Sequence, residues 1–371
     1  MLAKTVYLGA YDVDGTRHAS PAGVTMMKYM LSVLSADNRV TMIAPSFPKD
    51  GKAAPRDCRC EEGYDLIFPA SLKKSRNPLM RVLRQWHHRR ALQRELEVQV
   101  QDGDTLVVYH SLLLMQAVKR LRRRRDFRLI LQVCEIYADV NADVRCRAQE
   151  VAFVQTADAY VFMTEMMAAE LNKEQKPYAV CNGSYAVSER VVSPSDDGKI
   201  HCVYAGTFDP RKGGVSAAIA AAAFLPSNYH LHVLGFGTPQ EIEAVQAQVR
   251  ACGKEGCTVS YDGCLQGEEY TRFIQKCAIG LSTQNPTAAF NATSFPSKIL
   301  AYMANGLRVV SIRIPAVTTS AVGQFVTFYD EQTPEAIAKA ILQVDMTDTY
   351  DGQAVLQELN AKFTHDFRNL Y

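Results

Sequence analysis

The sequence lacks several features that would assign it to a familiar class at once. No apolar run approaches 18 residues, so no membrane-spanning segment is expected. The first residues lack the long apolar core of a signal peptide. Ten cysteines include no Cys-x-x-Cys pair, which argues against a zinc finger or thioredoxin motif and favours reduced thiols in a cytosolic protein. We predict no metal site, no short-period repeat and no low-complexity tract.

What is present indicates two packed domains of unequal charge. The chain has 371 residues and 47% hydrophobic content, enough for two cores. Residues 1–185 carry 27 Lys and Arg against 21 Asp and Glu, a balance of +6. Residues 186–371 carry 14 against 18, a balance of −4. The first half is therefore the more favourable one for an anionic partner.

Short apolar runs alternate with amphipathic stretches, and the series restarts near the middle of the chain. Such runs, separated by helices, are typical of parallel sheets covered on both faces. We predict an α/β protein with two Rossmann-like domains at residues 1–185 and 200–350, joined by a linker at 186–199 that is rich in Ser, Pro and Asp. The final segment, 353–371, is predicted to be a helix that packs back on the first domain.

The segment 291–310 is the most informative part of the sequence. Thr293 and Ser294 are N-cap candidates and Pro296 fits a first helical turn, so a helix is predicted to begin here. Its unpaired N–H groups and Lys298 would suit a diphosphate. An ordinary helix cap explains the same residues.

Three further loops follow predicted strands in the second half. They contain glycine and polar residues where ligands bind in open α/β sheets. They match neither the dinucleotide fingerprint nor the Walker loop, and an ordinary turn is the alternative for each. The loops lie at Gly206–Lys212, at Gly235–Gly237 and at Gly263–Leu265.

The order of these four loops resembles the donor half of GT-B glycosyltransferases of the large family 4 type. The resemblance covers residues 200–345 well and the first half more loosely. It implies two Rossmann-like domains with parallel sheets facing an interdomain cleft, with the nucleotide-sugar bound by the second domain.

Particular donor contacts are implied by this resemblance. Lys212 matches the lysine that holds the diphosphate, and Thr207 falls where the family usually has an arginine, which Lys298 would replace. The family's paired glutamates fall on Thr293 and Ala301, and neither residue is acidic, although Thr293 keeps a hydroxyl and is retained as a catalytic candidate. The predicted donor residues are Gly206, Thr207, Lys212, Gly235, Gly237, Cys264, Leu265, Ser294, Phe295, Ser297 and Lys298.

The first domain is expected to carry the acceptor. Its long polar loop between the first strand and first helix contains Asp12, Asp14, Arg17 and Gly23, which are predicted acceptor contacts. The loop lacks the spacing and closing Glu of an EF-hand. A solvated turn is the alternative for the two aspartates.

His110 and Glu135 each follow a predicted strand in the first domain. The family often places a histidine like His110 near the transferred sugar, and Glu135 is the best remaining carboxylate for a base or an acceptor contact. A histidine satisfied by the backbone is the alternative for His110.

Two basic runs, Lys73–Arg94 and Lys119–Arg128, also lie in the first domain. The first has eight Lys and Arg without an acid, and apolar residues with Trp86 recur in it at helical spacing. Such a helix suits an anionic membrane surface, whereas a solvated helix is the alternative. Nucleic-acid binding is not expected, because no nucleic-acid motif accompanies the charges.

The sequence thus predicts a cytoplasmic enzyme, peripheral to the inner face of the membrane. It would transfer a sugar from a nucleotide-sugar, acting as substrate without a cofactor, to a glycan or lipid-linked acceptor. The resemblance implies retention of configuration and no required metal. A degenerate partner protein and an epimerase or phosphorylase of the same fold are the alternatives.

Overall fold

A computed structural model describes residues 4–141, 144–210, 213–252, 256–287, 291, 294–348 and 350–371, except for the side chains of 140, 141, 144 and 145. The chain divides into two compact units. The first comprises Met1–Ser184 together with Phe363–Tyr371, and the second comprises Tyr185–Lys362.

The first unit is built on an eight-stranded sheet with the order β3-β4-β2-β1-β5-β6-β7-β8. All neighbouring strands are parallel except β3 and β4. The order reverses between β1 and β5, so the carboxyl ends of these strands mark a ligand-binding edge. The strands are β1 (Lys4–Leu8), β2 (Arg39–Ile43), β3 (Asp57–Glu61), β4 (Tyr64–Phe68), β5 (Thr105–Tyr109), β6 (Arg128–Val133), β7 (Ala159–Phe162) and β8 (Tyr178–Val180).

Helices of the first unit connect these strands, and buried apolar side chains on the central strands form the core with them. Asn77 caps α2 by accepting from Leu79 N at 2.9 Å, with Pro78 at the first helical position. The helices are α1 (Pro21–Asp37), α2 (Pro78–Gln99), α3 (Leu112–Arg122), α4 (Tyr137–Asn141), α5 (Val144–Val154) and α6 (Glu165–Leu171).

The second unit has a six-stranded, all-parallel sheet with the order β11-β10-β9-β12-β13-β14. The order reverses between β9 and β12, which again marks a ligand-binding edge. The strands are β9 (Ile200–Thr207), β10 (Tyr229–Phe236), β11 (Thr258–Gly263), β12 (Ile279–Ser282), β13 (Arg308–Ile312) and β14 (Val326–Tyr329).

Seven further helices follow in the described sequence. Thr238 and Glu241 form a reciprocal capping box at the start of α8. The helices are α7 (Gly214–Ala221), α8 (Pro239–Ala251), α9 (Gly267–Ile274), α10 (Lys298–Ala304), α11 (Pro315–Thr318), α12 (Pro334–Leu342) and α13 (Gly352–Arg368).

The division into units differs in detail from the predicted domains. The segment predicted as a linker is part of the second unit, where the buried Gln275 side chain accepts from Val191 N at 2.9 Å and donates to Glu189 O at 2.7 Å. Only the last part of the C-terminal helix groups with the first unit. There the Phe363 and Tyr29 rings lie 5.9 Å apart, and Arg368 pairs with an acid on α1.

Candidate functional site

Two glycines leave the backbone without side chains at the carboxyl edge of the second sheet. Gly206 on β9 and Gly235 on β10 are register partners. A Cβ atom on Gly235, whose φ is 153°, would overlap the carbonyl oxygen of Gly206. Glycine is therefore required at position 235 for these two strands to meet, and it leaves the edge open to a flat or phosphorylated ligand.

Lys298 lies at this edge. Its Nζ is 3.9 Å from the centroid of the Tyr204 ring, a cation–π contact. A Cβ built on Gly206 would be 3.0 Å from the same Nζ. The ammonium is thus held against the end of β9, where a cationic group is suited to neutralise a phosphate.

The helix that carries Lys298 starts later than predicted. α10 has seven residues, its N-cap is Ser297, and Ser297 makes no side-chain cap hydrogen bond. The expected cap at Ser294 with Pro296 in the first turn is therefore wrong. A preceding turn, in which Ile299 N donates to Pro296 O at 3.0 Å, delays the helix. The site rests on the Lys298 side chain rather than on a helix N-terminus.

Tyr302, one turn after Lys298, fixes α10 on the sheet. Its hydroxyl accepts from Ala205 N at 2.8 Å and donates to Leu281 O at 3.3 Å, and the residue is fully buried. Burial raises the pKa of this phenol well above its usual value, so it stays neutral. These bonds connect α10 to β9 and β12 and thereby position Lys298.

Phe236 presents an exposed ring between Gly235 and Gly237. It is 47% exposed, whereas the neighbouring Phe208 is buried against Tyr261. A Cβ on Gly237 would be 2.8 Å from Glu241 Oε2, so a side chain there would displace the glutamate that caps α8. The strand end thus exposes one aromatic face beside backbone groups, an arrangement suited to a nucleotide base.

The other predicted donor residues have mixed environments. Thr207 Oγ1 accepts weakly from Asp209 N at 3.4 Å, and Phe295 is buried at 5% exposure, which makes it a packing residue. Cys264 and Ser297 are exposed, and Leu265, Ser294 and Ala301 are half-buried. Lys212 and Thr293 lie outside the described residues.

His110 in the first unit is held by a residue that sequence reasoning did not identify. Its Nε2 donates to Glu150 Oε1 at 2.7 Å, and Glu150 also accepts from Tyr137 N at 2.8 Å and Ala138 N at 3.1 Å. Although burial favours the neutral acid, these hydrogen bonds keep the pKa of Glu150 below its ordinary value. His110 Nδ1 is buried without a protein hydrogen-bond partner among the described residues. This nitrogen is therefore an acceptor for an outside donor.

Glu135 follows β6, the strand next to the one that ends before His110. It is half-buried, and its charge contributes to raising the pKa of Tyr137, after the larger effect of burial. The Tyr137 and His110 rings lie 5.8 Å apart. The carboxyl ends of β5 and β6 thus carry the two predicted first-unit groups close to one tyrosine.

The predicted acceptor residues are largely occupied by partners within their own unit. Arg17 is buried, donates to Ser46 O at 3.0 Å and lies 3.7 Å from the Phe68 ring centroid. Asp12 accepts from Arg17 N at 3.2 Å, and Asp14 pairs with Arg59 at 2.9 Å. Arg17 was predicted to contact the acceptor, and in the structure its guanidinium anchors the loop that carries it.

Gly23 lies beside β5 rather than in open solvent. A Cβ there would be 3.4 Å from Tyr109 Oη.

The hydrogen bonds of Thr16 and Arg59 keep the pKa of Asp14 below its ordinary range, so Asp14 is ionised on the loop surface. Asp14 and Gly23 remain candidates for contact with an acceptor.

The first basic run covers the segment before α2 and most of that helix, and several of its apolar residues are exposed. Leu79 is 80% exposed and Trp86 51%, and Arg90 lies 4.1 Å from the Trp86 ring centroid. Val82 and Leu83 are also exposed on this helix. In the described part of the chain, no helix is both long and apolar enough to cross a bilayer.

The second basic run is different, because acids of the same unit neutralise much of it. Arg122 forms a two-pronged pair with Asp158, with both N–O distances at 2.7 Å. Arg124 pairs with Glu97, and Arg125 lies 3.8 Å from an Asp102 oxygen. The first run, by contrast, has no acidic residue of its own and carries several exposed apolar residues.

Solved structures with this fold cover nearly the whole chain. A sucrose-phosphate synthase from Thermosynechococcus elongatus has a TM-score of 0.72 at 15% identity, over 100% of this chain and 98% of its own. A trehalose-6-phosphate enzyme from E. coli bound with UDP-2-fluoro glucose has 0.70 at 12% identity, over 99% of each chain. A UDP-forming α,α-trehalose-phosphate synthase from Burkholderia xenovorans, in complex with glucose-6-phosphate, has 0.67 at 9% identity, over 99% of each.

These likenesses define a GT-B protein and confirm the predicted fold class. No curated protein sequence matches this chain. Residues 199–345 match the family model described as glycosyl transferases group 1, a range that contains Gly206, Gly235 and Lys298. This match lies within the second unit and covers less than half of the chain, whereas the similarity to the solved structures extends the GT-B fold over both units.

Proposed function

We propose that the second unit binds a nucleoside-diphosphate sugar at the carboxyl edge of its sheet. The observation that carries this proposal is the position of Lys298 Nζ, over Tyr204 and beside Gly206, in the part of the chain that matches the family model. The E. coli relative, bound with UDP-2-fluoro glucose, supports a UDP-sugar as the first donor to test.

In this proposal the diphosphate lies against Lys298 and the base against Phe236. The ammonium would neutralise charge that develops on the leaving diphosphate, which is where electrostatic stabilisation accelerates the reaction. Transfer would retain anomeric configuration and need neither a metal nor a cofactor. His110 and Glu135 are the first-unit groups proposed to contact sugar or acceptor, His110 through its free Nδ1 lone pair.

The proposed acceptor is a sugar hydroxyl on a glycan or a lipid-linked glycan. A sugar phosphate is the second candidate, because the Burkholderia xenovorans relative is in complex with glucose-6-phosphate. We place the enzyme in the cytoplasm, at an anionic membrane surface that the basic, apolar start of α2 would contact. Each basic side chain near such a surface contributes about 1 kcal/mol of binding free energy.

The donor proposal is tested by thermal stability against UDP-, GDP-, ADP- and TDP-sugars, since a ligand raises the midpoint according to its affinity. We expect a shift with one nucleotide class, and its loss in Lys298→Met. Lys298→Arg should restore part of it, and Lys339→Ala, at an exposed lysine on α12, is the matched control. A shift that survives Lys298→Met unchanged would show that this edge is not the donor site.

Product analysis separates the alternatives that share this fold. Conversion of the donor without an acceptor indicates an epimerase, and release of a sugar phosphate in the presence of inorganic phosphate indicates a phosphorylase. No turnover with any donor and acceptor pair would favour a degenerate partner protein, a reading motivated by Ala301 at a position where the family has an acid.

A further inference from the structure

Three histidines share one face of the second sheet, away from the donor edge. His201 on β9 and His230 on β10 are register partners, and His232 lies two residues further along β10. The His230 and His232 rings are 3.9 Å apart between centroids, and those of His201 and His232 are 5.1 Å apart. Each ring offers a nitrogen that lies within 4.8 Å of the other two.

Two of these imidazoles are oriented by carboxylates. His201 Nε2 lies 3.0 Å from Asp197 Oδ1, and His232 Nδ1 lies 3.1 Å from Asp262 Oδ2. A carboxylate only accepts, so each ring must donate its N–H outward to the acid. Carboxylate–imidazole pairs of this kind orient the histidine ligands of metal sites.

The inward nitrogens of these two rings then face each other with lone pairs. His201 Nδ1 and His232 Nε2 are 2.8 Å apart. Two neutral rings whose hydrogens are already committed to Asp197 and Asp262 cannot form a hydrogen bond across this gap. The contact therefore calls for a positive centre between them, either an extra proton or a metal ion.

The third ring supplies a further lone pair. Ser260 Oγ donates to Asp262 Oδ2 at 2.8 Å, so it is an acceptor for His230 Nε2 at 3.0 Å. This arrangement leaves His230 Nδ1 without its hydrogen. A tetrahedral zinc ion with metal–nitrogen bonds of about 2.0–2.1 Å needs ligand nitrogens roughly 3.4 Å apart, which small ring movements would provide.

The surroundings favour a cation. Asp197 and Asp262 bring two negative charges, and Lys199, bound to Thr258 Oγ1 at 3.0 Å, brings one positive charge. The Phe273 ring covers His232 edge-on at 5.1 Å. The His201 side chain is 9% exposed and that of His232 is 12%, so the nitrogens are shielded from bulk water.

We propose that His201, His230 and His232 form a binding site for a divalent transition-metal ion of the zinc type, with Asp197 and Asp262 as positioning residues. Three protein ligands leave a fourth position for water. Because Gly206 is five residues along β9 from His201, the site lies about 17 Å from the donor edge. Its role is to tie β9 to β10, and the proposed sugar transfer does not pass through it.

The test uses the full chain without a histidine tag, stripped of metal by a chelator that is then removed. We expect uptake of one equivalent of Zn²⁺ by elemental analysis and a rise in thermal midpoint with Zn²⁺. Co²⁺ should bind at the same stoichiometry with visible absorption of a tetrahedral ion. Because these measurements use the wild-type protein, their outcome does not depend on whether a variant folds.

Variants then locate the site. His230→Asn, at the half-buried ring, should abolish the Zn²⁺-dependent shift, and Asp262→Asn should weaken Zn²⁺ binding about 10- to 100-fold. His365→Asn, at an exposed histidine on α13, is the matched control and should bind as wild type does. Absence of stoichiometric Zn²⁺ and Co²⁺ uptake in the wild type, or full uptake by His230→Asn, would overturn the proposal and leave a shared proton between His201 and His232.

Discussion

The His110 imidazole donates its Nε2 hydrogen to Glu150 across 2.7 Å, and both side chains are almost wholly shielded from solvent. Glu150 also accepts the backbone hydrogens of Tyr137 and Ala138, so one carboxylate at the end of the second turn of α5 organises the segment after β6. The bond fixes the tautomer of His110, with its lone pair on Nδ1.

Glu150→Gln should lower the free energy of unfolding by about 1–3 kcal/mol, because a charged acceptor of three hydrogen bonds becomes a neutral one. The pKa of Glu150 is lowered in the folded state, so its contribution is complete above the ordinary carboxyl range. It is lost as pH falls through the lowered pKa. Urea unfolding at neutral pH and at a series of acidic pH values measures both effects.

The difference between wild type and Glu150→Gln should therefore shrink in acid. Glu174→Gln, at an exposed acid in the same unit, is the control and should stay within about 0.5 kcal/mol of wild type. A Glu150→Gln deficit that stays constant down to strongly acidic pH would mean that the charge does not stabilise the fold.

Gly235→Ala should destabilise the second unit by more than the usual backbone cost, because its Cβ would overlap the carbonyl of Gly206. Gly198→Ala is the matched control, with φ of 77° and no atom within 4 Å of the added carbon. The control should lose about 1–2 kcal/mol through strain alone. The difference in free energy of unfolding between the two variants, measured by thermal unfolding, gives the cost of the overlap. Equal losses of stability in both variants would contradict a tight contact between the strands.

Phe236→Ala should weaken nucleotide binding while leaving stability nearly unchanged, since the ring is exposed at the donor edge. Loss of base–aromatic stacking corresponds to about 1–3 kcal/mol, or roughly 5- to 150-fold in dissociation constant. Isothermal titration with UDP gives the affinity. Phe224→Ala, at an equally exposed ring elsewhere in the unit, should titrate as wild type does.

Vesicle binding by α2 can be followed through Trp86, the one tryptophan of the chain. Its emission should shift to the blue with anionic vesicles and stay unchanged with zwitterionic ones, because the neighbouring arginines need negative headgroups. Leu79→Glu should reduce the shift, whereas Val98→Glu, at an exposed apolar position at the other end of α2, should not. Equal shifts with both vesicle types would remove the electrostatic part of the proposal.

Much of the fold was predictable because each strand and helix carries its own signal. Runs such as Leu106–Tyr109 and Val309–Ile312 are apolar and bounded by polar loops, and the glycines at positions 206 and 235 follow such runs. β3 carries no such signal, since its sequence Asp57–Glu61 is polar and has no core-facing apolar pattern. Its antiparallel pairing with β4 decides its conformation.

The unpredicted parts of the sites depend on partners far apart in sequence. Glu150 lies 40 residues from His110 within an otherwise unremarkable helix, and no spacing rule connects them. The position of Tyr204 could have been predicted in part, because it precedes Gly206 by two residues on the same strand and therefore lies on the same face of the sheet. The alternation of His230 and His232 was a similar signal, but the pairing with His201 needs the sheet register.

The Tyr302 ring packs directly against the backbone of Gly280 and fills the space that a side chain at position 280 would need. A Cβ on Gly280 would overlap the Tyr302 ring, and the ring's hydroxyl holds β9, β12 and α10 together. A larger residue at position 280 would be tolerated only with a smaller one at 302, and that exchange would release the hydrogen bonds that position Lys298. During evolution these two positions are therefore expected to change together or not at all, so the position of Lys298, the proposed phosphate contact, depends on a glycine on a neighbouring strand.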